Sequence, residues 1–143
     1  MKSQSGFTLI ELITVIVILG ILSAFAIPRF AGLEAQARSA AIQGLAGSLR
    51  SGAALAHAVW LANGSSGATV TLEGTVVSMD AASGYPLETT AGISSTIQDL
   101  SGFVDDGAGS YNNGAPNPGT CQVQYTLGAN PAPSVVVTTN DCS

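Results

Sequence analysis

Hydrophobic and polar positions follow three different rules along this chain. Between Phe7 and Ile27 nearly every position is apolar, and Glu11 is the one charge among twenty-one residues. At about 1.5 Å per helical residue the run would extend roughly 32 Å, enough to cross a hydrocarbon core of about 30 Å. Past Arg29 the apolar residues thin into a stripe. Ile42, Leu45, Leu49, Gly52 or Ala53, Ala56 and Trp60 recur at three- and four-residue steps, the spacing of an amphipathic helix. Beyond Asn63 the pattern turns to alternation, the period of half-buried strands.

One long helix is therefore expected from Phe7 to Ala62, ending at Asn63-Gly64, a C-cap signal. Its middle carries weak spots. Thr14, Gly20 and Ser23 interrupt an Ile/Val-rich run whose β-branched residues already lower helix propensity. Pro28 removes a backbone donor, and its ring is set against the carbonyl of Ala24. A bend or a locally opened stretch between Gly20 and Pro28 is the expectation. Arg29, Glu34, Arg38 and Arg50 occupy the other faces, with Glu34 and Arg38 in the favourable i,i+4 order.

After the helix, residues 68–72 and 75–79 flank Glu73-Gly74 as a hairpin. Residues 121–127 alternate with period two, and residues 134–139 follow a Gly/Asn/Pro turn and are placed to pair with them. The expected fold is α+β: a long N-terminal helix, kinked near Gly20–Pro28, packed on a small antiparallel sheet of about four strands. Residues 93–100 are expected to form a short helix. Residues 101–120, rich in Gly, Asn, Asp and Pro, predict a long exposed loop. The roughly eighty residues outside the helix suffice for one small lobe.

Glu11 is the residue any functional account has to explain. A secretory signal peptide has an apolar core of only about 7–15 residues ahead of a small-residue cleavage site. Here the run is longer, and the polar-to-small junction Ser5-Gly6 precedes it, although Ser23-Ala24-Phe25-Ala26 keeps a signal-like site in play. A plain membrane anchor explains the length but not the carboxylate, which is costly in lipid unless paired. Glu11 lies four residues after Phe7, on the same face if both are helical. A cut between Gly6 and Phe7 would give Phe7 an α-amino group of pKa about 8. That amine and Glu11 would then be opposite charges in an apolar segment. They could pair within one chain; paired between two chains, one shifted along the axis, they would also set register, the best-attested use of a buried ion pair.

Gly6-Phe7-Thr8-Leu9-Ile10-Glu11, followed by an apolar helix, resembles the class III signal of type IV prepilins. The resemblance covers about the first thirty residues. It implies that a prepilin peptidase cuts after Gly6 on the cytoplasmic side and methylates Phe7, that Glu11 is the registration acid, and that Gly20 and Pro28 loosen the helix. It further implies a leader over residues 1–6, an N-terminal helix over 7–62 whose residues 7–27 form the membrane span and filament core, and a globular lobe over 63–143. The expected partners are further copies of the chain in a helical filament, the peptidase and pilus assembly machinery, and the inner membrane before export to an extracellular pilus. Pro28-Arg29-Phe30, the Ala/Gly-rich helix, Gly84-Tyr85-Pro86 and a late cysteine pair are similar to mannose-sensitive haemagglutinin pilins. A pseudopilin of a type II secretion system shares the same N-terminus. The major pseudopilins carry a calcium loop with an Asp-Pro-Trp-Gly type motif, and the one tryptophan here is Trp60.

Composition narrows the remaining choices. Charged residues are 9% of the chain and the formal net charge is −5. With no basic patch, nucleic acid is not an expected partner. Lys2 and the amino terminus stand before the span and Arg29 after it, so charge bias alone does not set orientation. Cys121 and Cys142 fit one disulfide of an exported protein, against two free thiols or a metal pair. In the chain-entropy model such a bridge contributes roughly 3 kcal/mol. Asp105 and Asp106 with Asn112 and Asn113 offer oxygen ligands for calcium, but at no EF-hand spacing, and such residues commonly make turns. His57, the single histidine, is expected to pack near Trp60. Asn63-Gly64-Ser65 also fits a glycosylation sequon. No nucleophile elbow, zinc motif or phosphate loop appears, so neither an enzyme nor a cofactor is expected.

Overall fold

The computed structural model describes residues 6–128 and 132–143, apart from the side chains of Pro28 and Ala31. Most of the expected leader (1–5, with Lys2), the ring of Pro28 and residues 129–131 of the turn before Ser134 lie outside the described residues. The chain forms two compact units, residues 1–34 and 35–143.

Helix α1 spans Leu9–Ala62. In the first unit every large apolar residue from Phe7 to Leu33 is exposed. Among the described residues this helix is long and apolar enough to cross a membrane. The opened stretch expected between Gly20 and Pro28 does not form, because α1 is helical without interruption through both. Two of the weak spots are reinforced from within. Thr14 Oγ1 donates to the Ile10 carbonyl at 2.9 Å, and Ser23 Oγ to the Leu19 carbonyl at 2.7 Å. A proline removes a single donor, and the unbroken turns on either side retain theirs.

The second unit is built on the remainder of α1. The predicted stripe is the buried one: Ile42, Leu45, Leu49, Ala53, Ala56 and Trp60 all lie in the core. The helix ends as its sequence predicts. Ser65 N–H donates to the Trp60 carbonyl at 3.1 Å and Gly64 N–H to the Leu61 carbonyl at 3.1 Å, the paired bonds that satisfy carbonyls left over at a helix C-terminus.

Two sheets cover the stripe. Strands β1 (Thr69–Leu72) and β2 (Thr75–Ser78) pair antiparallel with Leu72 opposite Thr75. The two-residue turn has Glu73 at φ 47° and Gly74 at φ 88°, both positive, as the twist of a tight hairpin demands. This hairpin packs Val70, Val77 and Met79 with Ala56 and Trp60. It is a sheet of its own, which corrects the expectation that it joins the later strands. The four-stranded sheet runs β3-β4-β5-β6, antiparallel throughout. Its members are β3 (Val104–Asp105), β4 (Ser110–Asn112), β5 (Cys121–Thr126) and β6 (Ser134–Thr139). Cys121, Val123 and Tyr125 point one alternating face of β5 into a core shared with Ile42, Leu45 and Leu49.

Residues 101–120 are therefore not a long exposed loop. They supply β3 and β4, with Tyr111 fully buried. Their Gly and Asp residues make the turns between strands too short to show a clear alternation. The helix expected over 93–100 is reduced to a 3-10 turn, Ile93–Thr96. At the open edge of the sheet, Arg50 Nη2 donates to the Val135 carbonyl of β6 at 3.0 Å.

Near the end of α1, His57 packs as expected and more tightly. Its ring stacks on Tyr85 at 4.0 Å with planes 3° apart. Nδ1 lies 2.7 Å from the Gly84 carbonyl, so Nδ1 carries the proton, since a carbonyl only accepts. Trp60 Nε1 donates to the Gly67 carbonyl at 3.0 Å. Gly84 sits at φ 70°, where an added Cβ would overlap the Trp60 ring. Gly74 has a similarly positive φ but open space around it. Gly84→Ala thus combines backbone strain with a clash and should cost about 3 kcal/mol, against about 1 kcal/mol for Gly74→Ala. Chemical denaturation of the two variants measures the difference, and equal losses would mean that the Trp60 contact yields freely.

Candidate processing and assembly site

The site begins before the helix does. Gly6, Phe7 and Thr8 precede α1 without regular structure, and Phe7 is 91% exposed. An exposed non-helical peptide bond is one a peptidase can reach. Because α1 starts at Leu9, Phe7 lies outside it, and the shared helix face expected for Phe7 and Glu11 is not formed.

Glu11 meets Thr8 instead. Thr8 donates to Glu11 Oε2 from its backbone N–H at 2.8 Å and from its hydroxyl at 2.7 Å. In return the Glu11 N–H donates to Thr8 Oγ1 at 3.4 Å. This is a capping box: two donors at a helix start are satisfied reciprocally by a Thr and a Glu three residues apart. Thr8-x-x-Glu11 ahead of an apolar run is the sequence signal for it, and the apolar length of the segment concealed it. With Thr14 and Ser23 bonded back to their own helix, each of these polar side chains has a hydrogen-bond partner inside the segment.

At the far end of the chain, Cys121 and Cys142 form the disulfide, with Cα atoms 5.0 Å apart. Neighbouring bonds tie the same closure. Thr120 Oγ1 donates to the Asp141 carbonyl at 2.8 Å, and Asn117 Nδ2 to Asp141 Oδ2 at 3.3 Å. Hydrogen bonds from the Ser143 hydroxyl and N–H hold the Asp141 carboxyl below its ordinary range.

The Asp105–Asp106 segment spends its oxygens on the fold. Asp105 accepts from Ser94 Oγ at 2.7 Å and from Gly107 N–H at 2.8 Å. Asp106 accepts from the N–H groups of Ala108 and Ser110 at 2.8 and 2.9 Å. Asn112 accepts from Gly114 N–H, and Asn113 donates to the Arg38 carbonyl at 2.9 Å. Among the described residues no three His, Cys, Asp or Glu side chains gather as a metal-holding group.

The family comparison bears on the N-terminal segment. Residues 1–27 match the family model described as the prokaryotic N-terminal methylation motif. The Type IV narrow pilus major component PilA5 of Thermus thermophilus is 55% identical over 51 residues. That stretch is 36% of this chain and 44% of the relative, so the chain spans under half the length of the curated protein it matches. No solved structure matches the chain.

One polar relay in the lobe has a pH signature. Ser94 Oγ donates to Asp105, so the Tyr111 hydroxyl, 2.7 Å away, donates to Ser94. Burial pushes the Tyr111 phenol up to about 12, helped by the charges of Asp105 and Asp106. A raised phenol pKa means the fold favours the protonated form. That contribution is complete below the unfolded value of about 10 and is lost as pH rises toward the folded value. Alkaline titration should show Tyr111 ionising together with loss of secondary structure between pH about 10 and 12, and Tyr111→Phe should shrink that step. Absorbance at the tyrosinate band alongside circular dichroism measures both, and ionisation ahead of any unfolding would contradict the coupling.

Proposed function

We propose that the chain is a structural subunit of a type IV pilus, polymerising through its N-terminal helix into a surface filament. The observation that carries this reading is the methylation motif over residues 1–27, which takes in the exposed apolar start of α1 with Glu11 as the one charge between Phe7 and Ile27. The pilus component to which the chain is similar supports it and does not favour the pseudopilin alternative.

In this reading a prepilin peptidase hydrolyses the Gly6–Phe7 bond and the new Phe7 amine is methylated. The helix waits in the inner membrane and is then extracted by the assembly machinery to pack with other copies. Each large apolar side chain removed from water contributes roughly 1.5–3 kcal/mol to cohesion. The Phe7 amine of one subunit meets Glu11 of a neighbour and fixes the step. Head-to-tail contacts that do not close on themselves give an open helical assembly. Gly20 and Pro28 are the positions where the helix yields on packing. The disulfide-closed lobe lies outside and makes the adhesive contacts, in the manner of the mannose-sensitive haemagglutinin pilins that the lobe resembles.

Intact-mass and N-terminal analysis of protein sheared from cells should find a chain that begins at Phe7, carries one added methyl and has two cysteine protons fewer. Glu11→Ala should be exported and cleaved but absent from sheared filaments. A sheared chain starting near Ile27, or wild-type filament yield from Glu11→Ala, would remove the reading.

A further inference from the structure

From Ala37 to Ala62, helix α1 has one face covered by the two sheets and another that is exposed. The exposed positions hold Ala, Gly, Ser and Leu, with Gln43 and Arg50 as the exceptions. The Arg50 guanidinium is turned onto the Val135 carbonyl of β6. A helix face meant for water is charged and polar, and this one is not. Ala41, Gly44, Ser48, Ser51, Leu55 and Ala58 recur on it at alternating three- and four-residue steps, the spacing that meets a second helix. Gly44 and Gly47 lie inside the helix without a positive φ, and nothing stands within 4 Å of a Cβ added to either. Gly52 is different, because Thr96 occupies that space. Glycine weakens a helix interior relative to alanine, and within the lobe Gly44 and Gly47 return nothing for it. An open groove of about 620 Å³ is lined by Gly44, Gly47, Ser51 and Leu55 from the helix and by Thr96 and Gln98.

We propose that this outer face is the seat for the apolar run of another copy of the chain, with residues 9–33 of one copy lying along residues 37–62 of the next. The proposal rests on the pilus-subunit reading. Both stretches belong to one uninterrupted helix, Leu9–Ala62, so the groove continues the apolar surface through which that reading has copies pack. Size decides which stretch meets which. The run exposes large Ile, Leu, Val and Phe side chains, whereas the outer face is mostly Gly, Ala and Ser. Large side chains fill the room that small ones leave. Like stretches facing each other would set large against large and leave the glycines opposite small residues. The contact joins two different surfaces of the same chain, so copies add in one direction, each shifted along the axis, and the assembly stays open. Scarcity of charge on the face keeps its desolvation inexpensive.

The full chain, produced in cells with the assembly machinery, is tested as Gly44→Leu and Gly47→Leu. Both positions are open in the monomer, and leucine is a better helix former than glycine. Processed subunits held in detergent should therefore unfold at or above the wild-type temperature. Sheared-filament yield should nevertheless fall by about tenfold or more, because the added side chain fills the seat. A leucine variant at wild-type yield overturns the proposal. So does one that unfolds below wild type, since the face would then be filled within the chain. Ser48→Cys identifies the occupant. Alone it should give no linked dimer in oxidised filaments. Combined in turn with a cysteine at each of positions 13–26, it should give linked ladders from the positions that face it. Linked dimers from Ser48→Cys alone would set like face on like face, and no ladder from any pair would give the groove to another surface; either result overturns the proposal. If the wild-type chain forms no filament, the pilus reading itself falls. With wild-type filaments in hand, every other outcome bears on the groove alone.

Discussion

Apolar surface that the chain leaves uncovered is the constraint behind everything else here. The large side chains from Phe7 to Leu33 are all exposed in the monomer, far more than a soluble protein presents to water. Such a helix requires an apolar surrounding, and a bilayer and a bundle of like helices both supply one. Because neither offers free water, each polar group must be answered from within the segment. The Thr8–Glu11 box and the back-bonded hydroxyls of Thr14 and Ser23 do this. These polar side chains thereby find partners within the segment, and apolar cover is what it chiefly needs from its surroundings.

The later part of α1 follows the opposite logic. From Ile42 to Trp60 its apolar stripe is covered by the chain itself. Two clusters divide this stripe. The four-stranded sheet takes the part around Ile42, Leu45 and Leu49, and the hairpin takes Ala56 and Trp60. Between β2 and the 3-10 turn, the Gly84–Pro86 corner is fixed by the His57 stack and by the Tyr125 hydroxyl, which donates to the Pro86 carbonyl at 2.9 Å. Small residues matter at these joints for the room they leave. Gly52 faces Thr96 so closely that an added Cβ would overlap its hydroxyl.

How legible this was in the sequence depended on pattern length. The stripe on α1 and the two long strands were readable because each carries several turns or pleats of one period, and the Asn63-Gly64 stop and the Glu73-Gly74 hairpin because each is a glycine-containing cap or turn dipeptide. β3 and β4 are two and three residues long, below the length at which alternation is visible, so Tyr111 looked like a loop residue although it is fully buried. Sheet membership was also misjudged. Strand patterns show which face is buried, not which strand is the neighbour, and the hairpin's partner proved to be the helix end. At the N-terminus the motif residues were plain, but the Thr8–Glu11 bond pattern required knowing that the helix starts at Leu9. A two-residue difference in that start, Leu9 in place of Phe7, decides whether Glu11 faces Phe7 or Thr8.

The edge strand β6 carries a consequence for crowding. Ser134–Thr139 is β-branched and uncharged beyond its first residue, and among the described residues one side of it has no strand neighbour. Such an edge is a template on which a foreign strand can grow. Arg50 occupies the Val135 carbonyl along that side, so a newcomer would have to evict a guanidinium and strip its hydration to complete the ladder. One cation on the helix thus acts as a bumper for the sheet. A second copy of the lobe approaching this edge would meet that cation before it met the free backbone groups of the strand.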